Sequence, residues 1–151
     1  MCDVDPIVPT PRFSSIDHAL VFHSNVGYGH ASNEGAVQGD GDVILLANAD
    51  TVITPGSLWA CYEALMSRDD WGVLGPRQVN SANMITAGGI FGPSNCPAQR
   101  GWNEADHGQY SDIRDDAVSV SGALYFIKRS VWNTLTYCPV FQHYQPAHLL
   151  R

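Results

Sequence analysis

Val43-Ile44-Leu45-Leu46-Ala47-Asn48-Ala49-Asp50-Thr51 is the stretch on which the reading of this chain turns. Its first five residues form an unbroken apolar run. A run of that length without alternation suits a strand covered on both faces, as in a parallel sheet. The run ends in Asn-Ala-Asp, and Val52-Ile53-Thr54-Pro55-Gly56 then turns the chain toward a helix. In open α/β sheets the crevice just past the carboxyl end of such a strand is where ligands bind. Asp50 stands at that position.

Working outward, Thr54 reads as an N-cap with Pro55 at the first helical position. Leu58, Cys61, Tyr62, Leu65 and Met66 recur at helical spacing, which predicts an amphipathic helix over 55–67 with those residues in the core. Arg68-Asp69-Asp70 reads as a solvated connection. Trp71-Gly72-Val73-Leu74-Gly75-Pro76 follows as a strand stopped by Gly-Pro. Upstream, His18-Ala19-Leu20-Val21-Phe22-His23 predicts a short strand, Asn25 to Gly29 a glycine-bearing loop, and 31–38 a short helix. A helix start behind such a loop suits an anion. The spacing lacks the third glycine of the dinucleotide fingerprint and the Lys-Ser/Thr of a P-loop. Gly39-Asp40-Gly41-Asp42 is a turn leading into the central strand. The alternation of strand and helix argues for right-handed parallel β-α-β units.

Farther on, 77–87 is polar, with a hairpin or strand near Met84-Ile85-Thr86. Gly88-Gly89 permits a sharp turn or a close backbone approach to a ligand. Residues 93–116 read as a long loop, in which Trp102, His107 and Tyr110 either line a sugar-binding surface or pin the loop down. Val118 to Ile127 is the last strong strand signal, with a break at Gly122, and a short helix follows over 131–135. Residues 1–17 are expected to be irregular, and so is the tail 137–151, broken by Pro139 and Pro146.

The chain has 151 residues, a size for a single domain. Its net charge is −7, it has eight Lys plus Arg, and it carries no basic run, which argues against nucleic-acid binding as the main activity. The four cysteines are widely spaced without a C-x-x-C pair. That pattern argues against structural zinc and a disulfide framework, and for thiols in a reducing compartment. No apolar run approaches the ~20 residues of a membrane span, and the N-terminus lacks a signal-peptide pattern. A cytoplasmic setting is expected.

Asn25-x-Gly27-x-Gly29-x-x-x-Asn33-x-Gly35, then Gly41-Asp42 through Asp50-Thr51, then Pro55-Gly56 before a helix, resembles the inverting nucleotide-sugar glycosyltransferases of GT-A fold (family 2 type), above all their rhamnosyltransferase-like subgroup. Val73-Leu74-Gly75-Pro76, Gly88-Gly89 and Ser121-Gly122-Ala123 ending in Lys128-Arg129 continue the same order of motifs, so the likeness covers roughly residues 18–133. It implies a single Rossmann-like GT-A domain over 1–151, with a mostly parallel central sheet flanked by helices, incomplete at both ends. It puts Asn48-Ala49-Asp50 at the family's Asp-x-Asp motif, with Asn48 in place of the first acid. Asp50 is then the ligand of Mg²⁺ or Mn²⁺ bridging the donor diphosphate. Asn25, Gly27, Asn33 and Asn48 lie by the nucleotide, and Gly88 and Gly89 lie by the acceptor or sugar, where the loop reading adds Trp102 as a candidate.

Two departures accompany the likeness. The family's opening strand–helix–strand unit with a nucleotide-binding aspartate has no room before His18, where Asp3 and Asp5 are the candidate remnants of it. Its general base is an acid beyond the region matching Arg129, where this chain has His143 and His148 but no carboxylate after Asp116. The base is left unassigned. The leading expectation is transfer of a sugar from a nucleotide-sugar donor to a carbohydrate or other hydroxyl acceptor, with inversion. The alternative is a non-catalytic remnant that binds a sugar, nucleotide or protein partner. A nucleotidyltransferase ranks below both, because Arg12 is the only basic residue near the N-terminus.

Overall fold

The structure is a computed structural model and describes residues 2–3, 19–93 and 95–135. Its elements in chain order are β1 (Cys2–Asp3), β2 (Leu20–Val21), α1 (Tyr28–Ala36), β3 (Val43–Ala47), α2 (Pro55–Met66), β4 (Val73–Leu74), β5 (Gln78–Val79), β6 (Ile85–Ala87), β7 (Ile90–Phe91), β8 (Ala98–Gln99), β9 (Leu124–Lys128) and α3 (Arg129–Leu135).

The core is built on β9. Leu124-Tyr125-Phe126-Ile127 is aromatic and branched, a composition that fills a pleated surface on both sides. These four side chains are 6%, 2%, 2% and 4% exposed, so both faces of the strand are covered. β9 also has a neighbour on each edge, β3 along its whole length and β4 at Phe126 and Ile127, while the Leu124 carbonyl accepts from Gln78 Nε2 at 3.2 Å. Val43 pairs with Lys128 and Ala47 with Leu124, while Val73 pairs with Ile127 and Leu74 with Phe126. Ile44, Ile127, Ala36 of α1 and Trp132 of α3 form a cluster, joined by Leu46, Val73 and Val131.

The sheet corrects the expectation of a mostly parallel, Rossmann-like GT-A arrangement. β9 runs antiparallel to both neighbours, and the order is β3-β9-β4. β3 and β4 are parallel to one another, but β9 lies between them, so the β-α-β unit through α2 never places its two strands side by side. The physical reason is that an apolar run reports coverage of a strand, not the direction of its neighbours. The coverage itself was overestimated for β3. It is an edge strand of this sheet among the described residues, with only Ile44 buried and Ala47 exposed. Among the described residues the only parallel pair is β1 with β2, Cys2 opposite Leu20 and Asp3 opposite Val21. The segments expected to be irregular, 1–17 apart from that pair and 137–151, lie outside the described residues.

α2 follows its sequence signals closely at the start. Thr54 Oγ1 accepts from the Ser57 backbone N–H at 3.2 Å, and Pro55 opens the helix. Its expected core face is mostly not core. Leu65 is fully buried, but Leu58 and Met66 are 43% and 39% exposed. The hairpin expected near Met84 is present as β5–β6, turned through Asn83 at φ 58. After β9, Arg129 donates from Nε to Gly41 O at 2.5 Å and from a terminal nitrogen to Ala36 O at 3.0 Å. One guanidinium therefore fastens both the C-terminal end of α1, where a cation suits the helix dipole, and the turn before β3.

Candidate functional site

β3 runs out into a turn. The Thr51 backbone N–H donates to Asn48 O at 3.1 Å, which closes Asn48-Ala49-Asp50-Thr51 and holds Asp50 exposed near its tip. Asn is favoured at the first position of such turns. Because β9 runs against β3, the edge where β3 ends is the edge where β9 begins. Ser121-Gly122-Ala123 therefore lies beside the Asp50 turn. The Asn48 backbone N–H donates to Ala123 O at 2.8 Å, and the Thr51 hydroxyl donates to the same oxygen at 3.4 Å. Within the segment, Ala123 N–H donates to Ser121 Oγ at 3.3 Å.

The start of α1 reaches the same place. Asn25 Oδ1 accepts from the Gly27 backbone N–H at 2.8 Å, an Asx turn of the kind this side chain favours. Gly27 then caps α1 with φ 81, a conformation that favours glycine, and no side chain caps the helix. The helix begins at Tyr28, three residues before the predicted start. The Tyr28 hydroxyl donates to Gly122 O at 3.2 Å. Three stretches far apart in sequence thus meet at one sheet edge: Asn25–Tyr28, Asn48–Thr51 and Ser121–Ala123.

Asp50 is the only formally charged residue among these stretches. With Asn48 it offers hard oxygen donors, and both residues are exposed. No group of three or more His, Cys, Asp or Glu side chains that could hold a metal ion occurs among the described residues. Mg²⁺ commonly binds through as few as one or two protein carboxylates, phosphate oxygens and water completing the shell, so Asp50 and Asn48 are the residues here that could contribute to such a site.

The other predicted residues are placed as follows. Asn33 is half-buried on α1, roughly 140° round the helix from Tyr28 at ~100° per residue, so it does not share the Tyr28 face. Gly88 and Gly89 turn the chain between β6 and β7. A Cβ at Gly88 would come 2.5 Å from Arg100 O, and Gly89 has φ 90, so internal packing accounts for glycine at both. β7 then bridges to the approach of β9, with Val118 N–H donating to Ile90 O at 2.8 Å. Trp102 is 62% exposed on a turn after β8.

Residues 93–116 are less loop-like than their composition. Arg100 N–H donates to Gly89 O, and Asn103 N–H to Ile85 O, both at 2.9 Å. Tyr110 pins this region. Its ring lies under the Arg100 guanidinium at 4.5 Å and its hydroxyl donates to Glu104 Oε2 at 2.9 Å. That hydrogen bond, with smaller help from desolvation and the Glu104 charge, raises the phenol above its ordinary range. Asp112 is held low chiefly by its hydrogen bond from Arg100, and Asp116 by its bond from Arg114. Asp70 is held low in the same way by Arg68.

Sequence reasoning missed Tyr28 and the approach of Ser121-Gly122-Ala123 to Asp50. An aromatic directly behind Gly27 carries no mark of its partner, and the second depends on the direction of β9. No protein-family model, curated protein or solved structure matches the chain.

Proposed function

We propose that this chain binds a nucleotide-sugar with a divalent cation at the edge formed by Asn25–Tyr28, Asn48–Thr51 and Ser121–Ala123, and transfers the sugar to a carbohydrate or other hydroxyl acceptor. The observation that carries the reading is the convergence of these three stretches through Tyr28, Asn48 and Thr51 on the carbonyls of Gly122 and Ala123. It rests equally on the order of motifs in the sequence. Asp50 and Asn48 would hold the Mg²⁺ or Mn²⁺, which when bound offsets negative charge on the departing diphosphate. Asn25 and the Gly27 backbone would line the nucleotide side. The cytoplasm is the proposed setting, in keeping with the free thiols of Cys61 and Cys96. Among the described residues no helix is long and apolar enough to cross a membrane.

Binding without transfer is the second reading, and a specific observation favours it. An inverting transfer needs a base for the acceptor hydroxyl. The carboxylates of 104–116 are engaged elsewhere: Asp106 by Arg77, Asp112 by Arg100, Asp115 by Arg68, Asp116 by Arg114 and Glu104 by Tyr110. Release of nucleoside diphosphate from a nucleotide-sugar, with and without acceptor, separates the two readings.

Thermal melts with Mn²⁺ plus UDP, GDP or dTDP test the site. A ligand at 100 times its dissociation constant adds about 2.7 kcal/mol, or roughly 5–10 °C in a domain of this size. Asp50 is exposed, so Asp50→Ala leaves the ligand-free melt within about 0.5 kcal/mol of wild type. The variant is expected to lose the ligand shift, and a shift of full size in Asp50→Ala would sink the assignment.

A further inference from the structure

Tyr28 and the Asp50 turn are both fastened to one short piece of backbone. Gly122 O accepts from the Tyr28 hydroxyl at 3.2 Å. Ala123 O, one residue on, accepts from Asn48 N–H at 2.8 Å and from the Thr51 hydroxyl at 3.4 Å. The peptide unit joining the two residues is planar and stiff. Its carbonyl oxygen takes the Tyr28 bond, and its N–H takes the Ser121 hydroxyl oxygen at 3.3 Å. Gly122 itself has wide backbone freedom. The Tyr28 and Ser121 side chains hold this peptide, and the Asn48 N–H and Thr51 hydroxyl hold the next one through the Ala123 carbonyl, so the two adjoining units link the α1 start to the turn. A shift of the α1 start is passed through the peptide to the Asn48–Thr51 turn, and a shift of the turn is passed back.

We infer that Tyr28 is a positioning residue that couples the nucleotide-facing loop Asn25–Gly27 to the cation-facing turn Asn48–Thr51, so that each ligand strengthens binding of the other through the Gly122–Ala123 peptide. The inference rests on the nucleotide-and-cation reading of this site. Coupling of this kind is reciprocal. It comes on top of any direct contact between cation and diphosphate, and the two contributions are separable. Tyr28→Phe keeps the ring and removes only the hydroxyl. It leaves cation–phosphate contact untouched, so a change in coupling between wild type and variant reports the protein link.

The test is Mn²⁺ binding by electron paramagnetic resonance on the full chain, without nucleotide and with UDP, GDP or dTDP at one concentration that saturates wild type and variants alike, the tightest of the three being carried forward. Identical nucleotide concentrations cancel Mn²⁺ held by free nucleotide. The ratio of the two Mn²⁺ dissociation constants is expected to fall by about fivefold in Tyr28→Phe, at the lower end of typical coupling between sites. A hydroxyl that merely touched the nucleotide would weaken nucleotide binding equally with and without Mn²⁺ and leave the ratio unmoved. Thr51→Val cuts the link from the other end and is expected to lower the ratio as well. If wild type binds both ligands and both variants keep its ratio, the coupling is wrong while the site reading stands. If wild type binds neither Mn²⁺ nor any of the three nucleotides, the site reading falls and the coupling falls with it.

Discussion

Replacing Leu124, Leu65 and Leu45 by alanine, one at a time, measures where the stability of this fold resides. Each exchange removes three carbons, worth about 2.4 kcal/mol at roughly 0.8 kcal/mol per buried group. Leu124 in β9 is 6% exposed and Leu65 in α2 is fully buried. At both sites the transfer term is joined by the cavity left behind, which brings the expected cost to about 3–4 kcal/mol. Leu45 in β3 is only half-buried. There the transfer term shrinks with the buried fraction and solvent reaches the gap, so about 1–1.5 kcal/mol is expected. In melting temperature this is a fall of roughly 6–16 °C for Leu124→Ala and Leu65→Ala against roughly 2–6 °C for Leu45→Ala.

Urea unfolding followed by tryptophan fluorescence suits the test, since the chain has four tryptophans. The slope against urea must stay constant across the set for the midpoints to be read as stability. Leu45 stands opposite Phe126 in the ladder and Leu124 stands opposite Ala47, so both exchanges probe the same strand pair from its two sides. A cost for Leu45→Ala equal to that for Leu124→Ala would refute the assignment of the core to β9.

Two further outcomes test local features. Gly88→Ala places a methyl 2.5 Å from the Arg100 carbonyl oxygen and is expected to cost about 1–3 kcal/mol, whereas Gly56→Ala in α2 meets nothing within 4 Å and should be neutral or stabilising by up to about 1 kcal/mol; paired urea melts read both. The raised Tyr110 phenol keeps its stabilising bond to Glu104 below the ordinary tyrosine value of about 10 and loses it as pH climbs through the higher folded value. An absorbance titration at alkaline pH should therefore show a late tyrosine that vanishes in Tyr110→Phe and moves down in Glu104→Gln, and an unaltered titration in both variants would show that Tyr110 is not the late group.

Much of the local structure was legible because its signals are local. Thr54-Pro55 marked the start of α2, Gly122 marked the break before β9, and the polar stretch before Ile85 marked a hairpin. The sheet was not legible. Direction and order depend on contacts between segments that lie about 80 residues apart, such as Val43 and Lys128, and an apolar run is silent on both. The same limit explains α2, where helical spacing showed an apolar stripe without showing that Leu65 alone of it is fully buried, with Cys61 and Tyr62 half-buried. At the candidate site, the Asn25–Gly27 turn and the exposed Asp50 were readable from residue type. Their junction at Gly122–Ala123 was not, because it follows from β9 entering the sheet against β3.

That antiparallel junction bears on what the proposed site requires of its ligands. Asp50 is the sole formal charge there, and it is negative. A diphosphate brought within about 4 Å of it alone would be repelled by about 1 kcal/mol per charge pair in water and about 4 kcal/mol near a protein surface. No Lys or Arg belongs to the three converging stretches to offset this. A divalent cation reverses the sign, but one carboxylate and one amide oxygen leave most of its shell to be filled by others. On the proposed reading neither ligand is well held alone, and the two belong together. Asn at 48 fits that balance better than a second acid would. It supplies an oxygen without adding to the charge the diphosphate must meet, and it leaves the strength of binding to depend on how firmly Gly122 and Ala123 hold the two sides of the site in register.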